Sequence, residues 1–169
     1  VIATHLTETI RRHADEILTR DAAKHLVEEL KKTSPAVVED LIPNVMRLAE
    51  VQQILQLLLR EQVPIRQLAL ILETLGDYAP RTKDPILLTE FVRARLARTI
   101  STRYRDQDGR MLVVTLDPML EDRIRAGFEH TERGLFIRMS PQMIEKICRA
   151  IAQEVNKLTS QHRPPVVLV

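Results

Sequence analysis

The 169-residue sequence holds one cysteine, four glycines, no tryptophan and only 3% aromatic residues. Each scarcity excludes something. Cys148 alone can form no intramolecular disulfide and no Cys-rich metal site, and such usage fits a reducing compartment. Four glycines leave little backbone for cradling phosphate, and G-x-x-x-x-G-K-[ST], G-x-G-x-x-G and G-x-S-x-G are all absent. With so few aromatics there is no stacking platform for single-stranded nucleic acid. No apolar run reaches the ~18 residues that span a bilayer, and VIATHLTETIRR lacks the basic-then-apolar order of a secretory signal. Charge of one sign is missing too: 25 basic and 23 acidic residues give a net charge of +2, too mild to imply nucleic acid.

What remains is a soluble globular composition, 44% hydrophobic and 28% charged, with enough length to bury a core. Ser34-Pro35, Asp84-Pro85, Asp117-Pro118 and Ser140-Pro141 repeat one device, a side-chain oxygen at N-cap followed by proline at N1, and each predicts a helix start. Apolar spacing predicts an amphipathic helix over 4–18 with Thr4 as N-cap, and a second over 21–32 on Ala22, Leu26, Val27 and Leu30. A short helix from Pro35 ends before Pro43, and a broad-faced core helix covers 48–61. Between VPIR and YAPR the spacing predicts a helix over 64–78 burying Leu68, Ile71, Leu72 and Leu75. Another runs over 85–101 on Leu88, Phe91, Val92, Leu96, Thr99 and Ile100. Arg95 falls on that apolar face, so either its stem packs while the guanidinium reaches solvent or it pairs across a domain boundary.

Beyond residue 101 the period changes from 3.6 to 2. Residues 103–105 and 110–116 read as a hairpin turned at Asp108-Gly109, followed by helices over 118–130 and 141–161 and a closing strand in PPVVLV. The fold class is therefore mainly α with a smaller α/β part: a helical bundle followed by a mixed α/β unit. That unit is expected to continue past Val169, because four apolar β-formers ordinarily lead into further structure.

Chemistry is hard to assemble. His5, His13, His25, His130 and His162 show neither i,i+4 pairing nor an H-E-x-x-H pattern, so no metal is expected. Cys148 sits at an apolar helical phase, where a thiol acts as a small hydrophobe. Adjacent carboxylates such as Glu28/Glu29 point about 100° apart on a helix and form no acid/base dyad. Arginines at 93, 95, 98, 103, 105 and 110 form the one charge concentration, suited to phosphate, to an acidic protein surface or simply to solvent.

The stretches VIATHLTETIRRHADEILTR, LVEELKKTSPAVVEDLIPNV and VQQILQLLLREQVPIRQLALILETLGDYAPRTKDPILLTEFVRARLARTI, with the closing RPPVVLV, together resemble the cytoplasmic region of the FlhA family. These are the export-gate proteins of the flagellar type III secretion system; the virulence (injectisome) gate is the nearest alternative, and a helical nucleic-acid adaptor a more distant one. The resemblance implies a non-enzymatic scaffold without cofactors, at the cytoplasmic face of the bacterial inner membrane. It implies partners: export chaperones with their substrates, the export ATPase complex, and further copies in a ring. It divides the chain into 1–18, the last helix of an upstream subdomain, 19–100, a helical subdomain, and 101–169, a mixed subdomain. Thr4 matches a residue at the edge of the family's chaperone-docking cleft, most of which is built upstream of Val1.

Overall fold

The computed structural model describes the backbone of residues 2–131 and 134–169, and side chains of these outside 130–135. The protein is mainly α with a small α/β part, and it divides into two compact units, Val1–Thr102 and Arg103–Val169.

The first unit is helical: α1 (Ile2–Arg12), α2 (Ala14–Ile17), α3 (Arg20–Thr33), α4 (Pro35–Leu41), α5 (Leu48–Arg60), α6 (Leu68–Tyr78), α7 (Pro85–Arg95) and α8 (Ala97–Thr102). Helix α5 is its centre, burying Val51, Ile54, Leu55 and Leu58 against α3, α7 and α2. Helix α6 buries Leu68, Ile71, Leu72 and Leu75, as its spacing predicts, and packs between α4 and α7. Tyr78 stacks on Phe91 with ring centroids 4.1 Å apart, tying α6 to α7. Two buried threonines satisfy their hydroxyls one turn back, Thr74 on the Leu70 carbonyl and Thr89 on that of Pro85.

All four Pro-marked helix starts form, but only three are capped by the predicted side chain. Asp84 accepts the Ile86 and Leu87 N–H groups, Asp117 that of Met119 and Ser140 that of Met143. Ser34 makes no such bond, because its own N–H closes α3 on the Leu30 carbonyl and its ψ of 64° lies far from the extended value of the other three. Thr19 caps α3 instead, accepting from Ala22. Thr4 is not an N-cap either: it lies inside α1, which begins at Ile2.

Three predicted helices are shorter or broken. The 4–18 helix is interrupted at His13, whose carbonyl still takes the Ile17 N–H. The 85–101 helix is interrupted at Leu96, and Arg95 on it is exposed rather than part of the core face. Helix α6 starts four residues after Pro64. The reason lies upstream, where α5 ends in a Schellman motif: Gln62, at φ 59°, donates its N–H to Leu59, and Val63 donates to Leu58. Val63 and Leu58 are both buried, the apolar contact that accompanies this ending.

The second unit contains β1 (Val114–Thr115), α9 (Pro118–Ala126), β2 (Phe128–Thr131), β3 (Gly134–Ile137), α10 (Pro141–Ser160) and β4 (Val167–Leu168). The expected hairpin is replaced by a turn. Gly109 adopts the predicted positive φ, 76°, but β1 pairs in parallel with β4, Val114 opposite Val167 and Thr115 opposite Leu168. The helix predicted over 118–130 stops at Ala126, and β2 and β3 form an antiparallel pair with Phe128 opposite Ile137. Gly127 follows at the C-cap of α9, where an added Cβ would lie 2.9 Å from Met139 Cγ and 3.2 Å from the Ile124 carbonyl oxygen. On α10 the face bearing Ile147, Ile151, Val155 and Leu158 is half-buried, whereas Cys148 is exposed and is not the packed small hydrophobe expected.

Candidate docking surface

Helix α1 carries the one site residue singled out from the sequence, and it buries none of its residues. At about 100° per residue its two faces separate cleanly. Ile2, Leu6 and Ile10 form an apolar stripe, 86%, 57% and 49% exposed. Thr4 is also exposed and lies on the opposite, polar face with Glu8 and Arg11. Glu8 pairs with Arg12 at 3.3 Å, and the Thr7 and Thr9 hydroxyls bond back to the Ala3 and His5 carbonyls, so α1 satisfies its polar groups locally. An apolar stripe opposite a polar face is the pattern of a helix that packs against protein on one side.

The joint between α1 and the bundle is built from α2 and α5. Leu18 anchors it, 6% exposed. Three α5 side chains at i, i+4 and i+8 hold the end of α2: Gln52 donates to the Leu18 carbonyl at 2.9 Å, Gln56 to those of Leu18 and Asp15 at 3.1 Å each, and Arg60 to the Asp15 carboxylate at 3.1 Å. Gln52 is buried, and its oxygen accepts from Arg20 at 2.6 Å. Sequence reasoning passed over this stripe. Its one signal was a glutamine beside Val51 at the margin of an otherwise apolar face.

A cleft of about 450 Å³ in the second unit is lined by Tyr104, Asp106, Arg110, His162 and Arg163 among others. Its one half-buried carboxylate is already engaged: Asp106 accepts the Arg110 and Asp108 N–H groups at 2.8 and 3.0 Å and pairs with Arg163 at 3.3 Å. The Arg110 N–H, first among these, holds its carboxyl below the ordinary value, the opposite of what a general base requires. His162 closes α10 at φ 56° by the device seen at Gln62, its N–H on Thr159 and that of Arg163 on Leu158. Among the described residues no group of three His, Cys, Asp or Glu side chains could hold a metal, and no helix is long and apolar enough to cross a membrane. The arginine concentration is divided by the unit boundary; Arg93 pairs with Glu61 and Glu90, and Arg110 with Asp106 and Asp108.

A family model, the FHIPEP family, matches residues 1–169. The flagellar biosynthesis protein FlhA of Bacillus subtilis is 36% identical over 168 residues, covering 99% of this chain and 25% of that protein. Two solved structures share the fold at a TM-score of 0.78 and 0.76. The first, of the Chlamydia pneumoniae CdsV and CdsO complex, is 28% identical and covers 90% of this chain and 44% of the other. The second, nonameric EPEC SctV-C, is 29% identical and covers 92% and 46%. The chain thus spans about a quarter of the length of the curated relatives it matches. A match that runs from the first residue to the last, in sequence and in fold together, settles its kinship: the chain belongs to the FHIPEP family, alongside FlhA.

Proposed function

We propose that this chain is part of a non-enzymatic scaffold in a type III protein-export gate, of the flagellar branch, working at the cytoplasmic face of the bacterial inner membrane. The observation that carries the proposal is the collinear family match over all 169 residues. A continuous apolar core in the first unit, with no unpaired buried side-chain polar atom among the described residues, supports it. The flagellar reading over the injectisome one draws on the curated relatives, FlhA proteins 31–37% identical over nearly the whole chain.

Within the gate, residues 1–18 serve as the last helical segment of an upstream subdomain, 19–100 as a helical spacer and 101–169 as a mixed subdomain. Thr4, on the exposed polar face of α1, stands at the edge of a cleft that receives chaperone-substrate complexes. The export ATPase complex is a second partner, and like copies assemble side by side. Partner binding and assembly of like copies draw support from relatives solved as a CdsV–CdsO complex and as a nonameric SctV-C.

Calorimetry with flagellar export chaperones tests this. A longer chain restoring the upstream sequence should bind them, and Thr4→Asp in it should weaken binding, while residues 1–169 alone should bind at least ten times more weakly. Equal binding by both lengths would move the site into this chain. No binding by either would remove the docking role. Steep loss of nucleic-acid binding with salt, at micromolar affinity, would favour the adaptor alternative.

A further inference from the structure

We infer that Gln52, Gln56 and Arg60 form a polar grip that fixes the direction of the α1–α2 arm relative to the helical bundle, making the Leu18 joint a conformational device. Three observations converge. First, no residue of α1 is buried against the helical bundle. Second, the chain between α2 and α3 is only Leu18 and Thr19, and the Leu18 side chain is buried while its carbonyl faces two glutamine amides. Third, the grip closes on main-chain carbonyls and one carboxylate, through side chains spaced one turn apart on α5, the central helix of the bundle.

The chemistry of such a joint differs from that of a packed one. A buried leucine contact loses energy smoothly as helices slide, whereas a carbonyl that leaves its amide must find another donor or water. The Leu18 carbonyl has two donors at 2.9 and 3.1 Å, so it is doubly determined in one arm orientation. Water can replace either donor when the arm turns, which makes the orientation definite yet releasable. Gln52, Gln56 and Arg60 are positioning residues: they set where the faces of α1 point and touch no partner themselves. The inference stands apart from the docking proposal, since it concerns arm direction alone.

Spin labels at His5→Cys and Glu73→Cys in a Cys148→Ser background report that direction, both label sites being exposed, on α1 and α6. The otherwise native chain should give one narrow distance distribution. Gln52→Met with Gln56→Met should broaden or shift it. Amides from Leu18 to Ala22 should then exchange roughly two- to tenfold faster while those of Leu72 and Leu75 hold their rates. An unchanged distribution overturns the inference. So does equal acceleration at Leu72, which would make the glutamines ordinary determinants of bundle stability. Should the double variant fail to fold, Gln56→Glu decides by the same readouts, since it keeps the shape and removes the Gln56 donations to Leu18 and Asp15.

Discussion

The two units obey the same local rules and differ in what they bury. Among the described residues all 19 buried hydrophobics lie between Leu18 and Leu96, in the first unit. The second keeps Met119 82%, Phe136 49% and Ile137 55% exposed, and among its described residues only Gly127 is buried. Yet it starts its helices as crisply as the first, with Asp117 and Ser140 capping as Asp84 does. Capping and proline geometry are decided within one turn of chain, whereas burial requires surfaces that meet. A helix start is therefore no measure of how much core lies behind it.

The sharpest way to break this contrast is to cut the same kind of side chain from each unit. Leu72→Ala removes a fully buried side chain and should cost about 2–5 kcal/mol in denaturant unfolding of the first unit. Ile151→Ala, at a half-buried site on α10, should cost about 1 kcal/mol or less, in proportion to the smaller area removed from water. Equal losses would show that the second unit holds as much core energy as the first.

Caps should reverse that inequality into near equality. Asp84→Ala and Asp117→Ala should each lose about 0.5–2 kcal/mol, whereas Ser34→Ala should be close to neutral because its hydroxyl caps nothing. A large loss at Ser34 would contradict its geometry. A gain is expected from His162→Gly: relieving a left-handed residue at the end of α10 should add about 0.5–1 kcal/mol, read as a higher unfolding midpoint.

Acid should produce the smallest effect, and in both units with one sign. Glu50 accepts the Arg47 N–H at 2.7 Å and Asp106 that of Arg110 at 2.8 Å, and these bonds are the leading cause of their lowered pKa values. A lowered folded-state value means stability that is present above the ordinary values of 4.5 and 3.8 and lost as pH falls below them, through the folded-state pKa. Glu50→Gln and Asp106→Asn should each flatten the acid limb of stability against pH in their own unit. An unaltered limb in either variant would remove that carboxylate from the account.

How much of this was legible beforehand follows the same division. Helix positions and the core faces of α5 and α6 could be read because a 3.6-residue period records one broad contact surface. Residues 110–116 and PPVVLV were also legible as strand, and β1 and β4 lie within them, but their parallel pairing was not, since Val114 and Val167 meet from distant parts of the chain and two residues fix no register. Cys148 was misplaced because helical phase assigns a side but not the neighbour that would cover it. For the candidate surface, resemblance picked out Thr4, and the structure places it in the exposed body of α1 rather than at its start. The grip on Leu18 stayed invisible for another reason: its acceptors are backbone carbonyls, which every residue has, so only the donors Gln52 and Gln56 leave any trace.

The arm also has mechanical leverage. Eleven helical residues at 1.5 Å each make α1 about 16 Å long, so a tilt of about 10° at its base would swing the far tip through about 3 Å. A displacement of that size exceeds the tolerance of a hydrogen bond. Small rotations about a single leucine would thus be amplified into the making or losing of whole contacts at the tip.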